Sequence, residues 1–398
     1  MLAAMPPSSS NPADRGEAHI QDRVRDRGDA CPGALRLHRA DDGSLARLRL
    51  PTGVLTPHQL YVLADAADRL GDGHLSLTSR GNVELRGLGE GCGQDLAGLL
   101  RDAGLLPASE RHERVRNMVV SPLAGPAVMD RARRLDELLC GEDWTTELSG
   151  RFLFAVDDGR GDVAALAADV TLLAERDGGS ALLHVAGRTW RVPAPDAPRA
   201  ALAAAEAFLA AAREAGTGAW RVRELPAGQD LDVTGHLRRA AVPAEPVPDY
   251  VCATSGPPAP GLAGDHTVSV LARLGRVTSA QLRALLPARE VRVTPWRGFV
   301  LPGLAGRAAA QERLRALDGA GFLTRTDSPW IGVTACTGRP GCAKSLSDVR
   351  ADARPREGAL PVHWSGCARR CGHPQGAWTD MVATGEGAYQ MTVQGPTR

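Results

Sequence analysis

Lysine is nearly missing from this sequence: of 47 basic residues only Lys344 carries an ammonium, and arginine supplies the rest. Arginine-heavy usage of this kind follows first from GC-rich coding. The lone ammonium nevertheless stands two residues after a cysteine, Cys342, and Lys and Arg are not equivalent beside a charged group. An excess of charge is also missing, since 46 acidic residues balance the basic ones. That balance argues against a polyanion-binding or membrane-surface protein. No apolar run approaches the ~20 residues that span a bilayer. Residues 1–16 lack the apolar centre of an export signal. The sequence also holds no G-x-G-x-x-G, the common dinucleotide fingerprint. The expectation is a cytoplasmic globular protein with neither nucleic acid nor membrane as partner. What is present is cysteine: eight in 398 residues. Without an export signal they point away from a disulfide framework and toward metal or redox use.

Residues 1–30 are polar and charged, with little to bury, and are expected to be a disordered tail. Order is expected from Cys31-Pro32 onward. Between residues 243 and 260 lie six prolines, including Pro257-Pro258, and neither hydrophobic period persists there. This is the composition of an extended connector. The segments on its two sides resemble one another. The first reads Leu55-Thr56-Pro57-His58-Gln59-Leu60, a helical run to Leu70, alternating Leu75 and Leu77, then Arg80-Gly81-Asn82-Val83. The second reads Val277-Thr278-Ser279-Ala280-Gln281-Leu282, a helical run to Leu286, alternating Val291 and Val293, then Arg297-Gly298-Phe299-Val300. Each copy is a helix cap, helix, strand, Arg-Gly turn and strand. Matching Arg80 to Arg297 implies duplication of a whole α+β unit about a pseudo-two-fold axis, a repeat too long for a solenoid. The Ala-rich run beginning at Arg199 and ending at Ala215 reads as a soluble amphipathic helix.

The strongest chemical signal is C-terminal. Cys336-Thr-Gly-Arg-Pro-Gly-Cys342 and Cys367-Ala-Arg-Arg-Cys371 are two close pairs of thiols. Four thiolates supply one ligand per iron for a [4Fe–4S] cubane. Gly338 and Gly341 permit a tight curl, Pro340 restricts it, and free amides in such a loop can hydrogen-bond sulfur. A four-cysteine zinc site is the competing reading, although paired zinc ligands usually stand two to four residues apart. Disulfides are the other. Cys31, Cys92, Cys140 and Cys252 show no paired spacing and read as packing or surface thiols.

Three arginines open or close apolar segments: Arg80 in Leu77-Thr-Ser-Arg-Gly-Asn-Val83, Arg116 in Arg116-Asn-Met-Val-Val-Ser-Pro-Leu-Ala-Gly125, and Arg151 in Arg151-Phe-Leu-Phe-Ala-Val156. A guanidinium beside a buried strand requires an anion or a partner. A ligand rich in carboxylates meets that need through bidentate contacts.

Together, Thr-Ser-Arg-Gly-Asn, Arg-Asn-x4-Pro-x-Ala-Gly, Cys-x5-Cys, Cys-x3-Cys and the duplicated half resemble the siroheme-type nitrite and sulfite reductase superfamily. Within it the chain looks most like the precorrin-3B synthases. The residues that favour this branch are Cys31-Pro-Gly-Ala-Leu-Arg36, Ala335-Cys-Thr-Gly338, Gly341-Cys-Ala-Lys-Ser345, His363-Trp-Ser-Gly-Cys367 and Cys371-Gly-His-Pro374. The resemblance implies an α+β architecture with a pseudo-two-fold ferredoxin-like domain and two α/β lobes. The expected boundaries are half-domains at 31–110 and 266–330, a lobe at 111–240, a linker at 241–265 and a [4Fe–4S]-binding lobe at 331–398. It also implies that Arg80, Arg116 and Arg151 meet an anionic ligand. The superfamily's reductases carry a further basic residue two positions after the last of these, where this chain has Leu153. A small-anion reduction would suffer from that loss. The implied reaction is hydroxylation of precorrin-3A by dioxygen at the meso carbon joining rings A and D, with a ring-A acetate closing a lactone, in aerobic cobalamin biosynthesis. Electrons would come from NADH through a separate reductase or ferredoxin. A non-haem iron is associated with the branch, and its ligands are not legible, although His363 and His373 lie near the cysteines. The alternative is a siroheme-dependent nitrite or sulfite reductase, in which Cys371 would also bridge to the siroheme iron.

Overall fold

A computed structural model describes residues 33–356, 358, 360–374 and 376–395. The expected tail and Cys31-Pro32 lie outside the described residues. Two threonines organise the repeated halves. Thr56 starts the helix Pro57–Leu70, and Thr278 starts the helix Ser279–Ala284. Each threonine hydroxyl accepts the amide of the glutamine three residues on, and that glutamine's side chain accepts the threonine amide in return. These reciprocal bonds satisfy donors that a helix start otherwise leaves orphaned. Gln59 and Gln281 each spend their remaining amide N–H on an alanine carbonyl at the far end of their half, Ala103 and Ala320, at 3.1 Å.

The halves exchange strands. One five-stranded sheet runs His38–Ala40, Gly43–Leu48, Val83–Leu88, His74–Leu77, Arg276–Thr278; its last strand belongs to the second half. The other runs Gly261–Leu262, Val268–Leu271, Gly298–Leu301, Val291–Val293, Val54–Leu55; its last strand belongs to the first. Leu60, Leu75 and Leu85 from one half and Val268, Val291 and Phe299 from the other share one buried core. A unit of ~60 residues buries only about 60% of its unfolded surface, so the halves gain by completing each other's sheets. The architecture is α+β, with the ferredoxin-like pair at its centre.

The duplication holds, but the Arg-Gly match is one residue out. Thr78 accepts Gly81 N–H on its carbonyl and Asn82 N–H on its hydroxyl, while Thr294 accepts Arg297 and Gly298 in the same way. These bonds set Arg80 opposite Trp296, and Gly81 opposite Arg297. Gly81 and Arg297 accordingly share a left-handed backbone, with φ of 67° and 60°. A two-letter match cannot specify register; the hydrogen-bonded turn does.

Two lobes flank this centre. The first is a six-stranded mixed sheet running from Glu245–Pro246 to Met118–Val120, covered by the helices Pro126–Gly141 and Ala197–Ala215. The Ala-rich helix begins two residues earlier than its charged start suggests, with Pro198 in its first turn, and ends on Gly216 at φ 64°, as proline and glycine favour. The proline-rich connector is not a free tether. Glu245–Pro246 pairs along Arg188–Pro193, and Ser255 N–H donates to Gly161 O at 3.0 Å. An edge strand tolerates proline because only one side must donate. The second lobe is the sheet Val333–Ala335, Val362–Ser365, Trp378–Gly385, Ala388–Gln394. Among the described residues no helix is long and apolar enough to cross a membrane.

Candidate functional site

Parallel pairing of Val333–Ala335 with Val362–Ser365 brings the two cysteine loops side by side, because both loops leave the same end of neighbouring strands. Cys336 N–H donates to Trp364 O at 2.9 Å. The first loop curls at Gly338, φ 73°, where a Cβ would stand 2.7 Å from Val349 Cγ2. Gly366, between the strand and Cys367, sits against Ser345 with no room for a side chain. Its freed amide donates to Cys336 Sγ at 3.2 Å.

All four thiols, Cys336, Cys342, Cys367 and Cys371, line one cavity of about 410 Å³, with Lys344, Arg369 and Arg370 around them. The hairpin of the first half closes one side: Asp41 accepts Ala343 N–H, and Arg86, paired with Asp42, donates to Gly341 O at 2.7 Å. Burial pushes the Cys336 thiol up, while amide bonds from Gly366 and Gly338 pull the other way. Among the described residues, the trio whose ligand atoms all lie within 4.8 Å of one another is Asp157, Asp158 and Asp162, not a set of cysteines. A single zinc ion would draw its four sulfurs to about 3.8 Å apart at a Zn–S bond of ~2.3 Å. The thiols converge more loosely than that, around one cavity. The aspartate trio suits no metal. Asp157 already accepts amides from Gly159, Gly161, Val163 and Ala164, and Asp162 accepts Ser121.

A second cavity, of about 290 Å³, lies where the first half-domain meets the first lobe. Asn82 and Asn117 link the two bodies there, Asn82 Nδ2 to Asn117 Oδ1 at 3.4 Å. Arg80 and Arg151 line it, joined by Arg47, Arg49, Arg221 and Arg223. Arg151 lies over the Trp220 ring, 4.7 Å from its centroid. Arg221 is buried against Asp169, and Arg49 stands 3.6 Å from buried Glu113. Arg223 is exposed and has no acidic partner among the described residues. Arg116 departs from expectation. Its guanidinium grips Asp136 through two bonds of 2.8 and 2.6 Å and does not line this cavity. A guanidinium committed to a carboxylate in that way has little left for a second anion.

Leu153 is buried with Val119, Ala155 and Val163, and Trp296 packs on this group. An apolar contact therefore occupies the position two beyond Arg151. His363 is fully buried, its Nδ1 2.8 Å from Thr334 Oγ1 and its Nε2 without a partner. Burial and nearby Arg297 drive it down to about 4. His373 stacks on Trp378 at 4.6 Å. Sequence reading missed Arg47, Arg49, Trp220, Arg221 and Arg223. The one signal was the spacing Arg47/Arg49 and Arg221/Arg223; the first pair shares a face at the end of the strand Gly43–Leu48, whereas Arg221 caps the short 3-10 helix Val222–Glu224 that holds Arg223.

Comparison with known proteins agrees with this architecture. The nitrite/sulfite reductase ferredoxin-like half domain matches residues 37–101. A precorrin-3B synthase from Sinorhizobium sp is 27% identical over 92% of this chain and 83% of its own. The ferredoxin–nitrite reductase of Leptolyngbya laminosa is 25% identical over 85% of this chain and 76% of its own. Mycobacterium tuberculosis NirA superposes with a TM-score of 0.61 at 18% identity, covering 88% of this chain and 73% of that one; the likeness is one of fold.

Proposed function

We propose that this chain, which belongs to the nitrite/sulfite reductase superfamily, is an oxidoreductase converting precorrin-3A to precorrin-3B with dioxygen. The observation that carries the reading is a cavity lined by six arginines, Arg151 among them, while Leu153, two positions on, is buried in an apolar group on which Trp296 packs and adds no charge. A small anion needs concentrated positive charge at the reacting atom. A macrocycle with many carboxylates instead needs guanidinium groups spread around its rim and apolar surface under its ring.

In this reading Cys336, Cys342, Cys367 and Cys371 hold a [4Fe–4S] cluster, which when bound supplies electrons singly from NADH through a separate reductase or ferredoxin. The chain's own residues bind and orient. Arg80 and Arg223 dock carboxylate arms, and Arg151, set by its stacking on Trp220, presents a third cation. Arg221 is committed to Asp169 and holds the wall rather than the ligand. Arg116, tied to Asp136, fixes the approach to the strand Met118–Val120 and with it Asn117, which directly precedes that strand. Among the described residues, the acidic trio Asp157, Asp158 and Asp162 is already hydrogen-bonded and offers a non-haem iron little free ligand capacity.

The test is the absorption spectrum of anaerobically purified protein, acid–acetone extraction, and an assay of precorrin-3A with oxygen. Broad iron–sulfur absorption, no extractable siroheme and oxygen-dependent turnover are expected. Extracted siroheme with nitrite or sulfite turnover would replace this reading with the reductase one.

A further inference from the structure

The turn between Val291–Val293 and Gly298–Leu301 places two neighbouring residues toward two different sites. Trp296 joins the apolar group around Leu153, while the guanidinium of Arg297 crosses to the cysteine lobe and donates to Gly372 O at 3.2 Å. Gly372 directly follows Cys371. The equivalent turn in the first half has Gly81 where this one has Arg297, and both adopt positive φ. That conformation costs a non-glycine residue about 1–2 kcal/mol. Glycine is therefore the unstrained choice, and the fold uses it in the other copy.

The surroundings are shaped to accept the arginine. A Cβ on Gly275 would overlap the Arg297 side chain, and one on Gly372 would stand 3.4 Å from Arg297 Nη2. The guanidinium is half-buried and, among the described residues, has no acidic partner; its one bond is to a neutral carbonyl. Burial accordingly holds it below the ordinary arginine value. A desolvated, unpaired cation beside a thiol loop is unfavourable unless an anion completes it. Four thiolates around an iron–sulfur core are such an anion, since the assembly carries net negative charge.

We infer that Arg297 is a positioning residue for the cysteine site: it pins the Cys371–Gly372 loop through the Gly372 carbonyl and supplies counter-charge to the anionic cluster assembled there. The strain of its backbone is retained because that placement requires a side chain where the sister turn needs none. The inference rests on the cluster reading above.

The experiment compares anaerobically isolated full-length protein with Arg297→Gly and Arg297→Lys. Glycine suits the backbone, so Arg297→Gly should unfold at no lower temperature than the parent in apo form. Its cluster should bleach at least ~10-fold faster with an iron chelator, the scale of losing an outer hydrogen-bonding partner. Its midpoint potential, followed by EPR, should move negative, because a cation that favours the more reduced, more negative cluster is gone. Arg297→Lys should recover the potential more fully than the bleaching rate. Hydrogen exchange at residues 367–373 of the apo protein should also rise in Arg297→Gly. Unchanged bleaching and potential in Arg297→Gly, with a normal cluster in the parent, would overturn the inference alone. A glycine variant that simply unfolds earlier would reduce Arg297 to a packing residue. A parent protein that binds no iron and sulfide on reconstitution would remove both the cluster reading and this inference.

Discussion

Single side chains separate the two cavities most sharply. Cys367→Ser removes one of four convergent thiols, and iron and acid-labile sulfide should fall to background after anaerobic purification; unchanged contents would exclude it as a ligand. Arg223→Ala is expected to weaken a polycarboxylate ligand without touching the cluster. Losing one charge-assisted contact is worth about 1.5–3 kcal/mol, or roughly 10-fold or more in Kd. Titration with uroporphyrin, which carries eight carboxylates, would read this, and nitrite binding should not change. His363 supplies a pH signature in the apo protein. Its folded value of about 4 lies below the ordinary 6.5, so the unfolded chain takes up the proton first. Stability should therefore be full above pH 6.5 and fall as pH drops toward 4, by roughly 3 kcal/mol at most. Urea unfolding of His363→Gln should flatten that slope.

At the level of elements, the reciprocal caps at Thr56 and Thr278 explain why two segments of modest helical length begin where they do. Replacing either threonine by alanine forfeits a bond to the third helical amide and should cost about 1 kcal/mol, measurable by chemical denaturation. The parallel pair Val333–Ala335 and Val362–Ser365 does for the thiols what caps do for helices. It sets two distant loops at one sheet end, where ligand sites of open sheets commonly form.

The whole molecule behaves, on this architecture, as interlocked halves rather than beads on a string. Each half lends a strand to the other's sheet, and the core is common. Leu60→Ala in the first half and Phe299→Ala in the second should therefore destabilise one shared transition, each by roughly 3–5 kcal/mol. Two separable calorimetric transitions, each moved by one variant only, would contradict the shared core.

Much of this was legible in the order of residues alone. The close cysteine pairs, the duplicated cap–helix–strand unit, the Ala-rich helix and the α+β class all depend on spacing and periodicity, which are local properties. Arg80, Arg116 and Arg151 are marked by the motifs that carry the family resemblance, and the fold brings the first and last of them to one cavity. What the chain order could not carry was pairing. Whether Arg116 faces a cavity or Asp136, and whether Arg47 and Arg223 share a site across almost half the chain, depends on which surfaces meet. The one-residue shift that sets Trp296 opposite Arg80, and sends Arg297 to the cysteine lobe, is likewise decided by turn hydrogen bonds. Sequence determines which groups exist and which local shapes they favour. Tertiary packing alone decides which charges are already satisfied and which remain for a ligand, because desolvation and partner geometry arise only when distant segments close on one another.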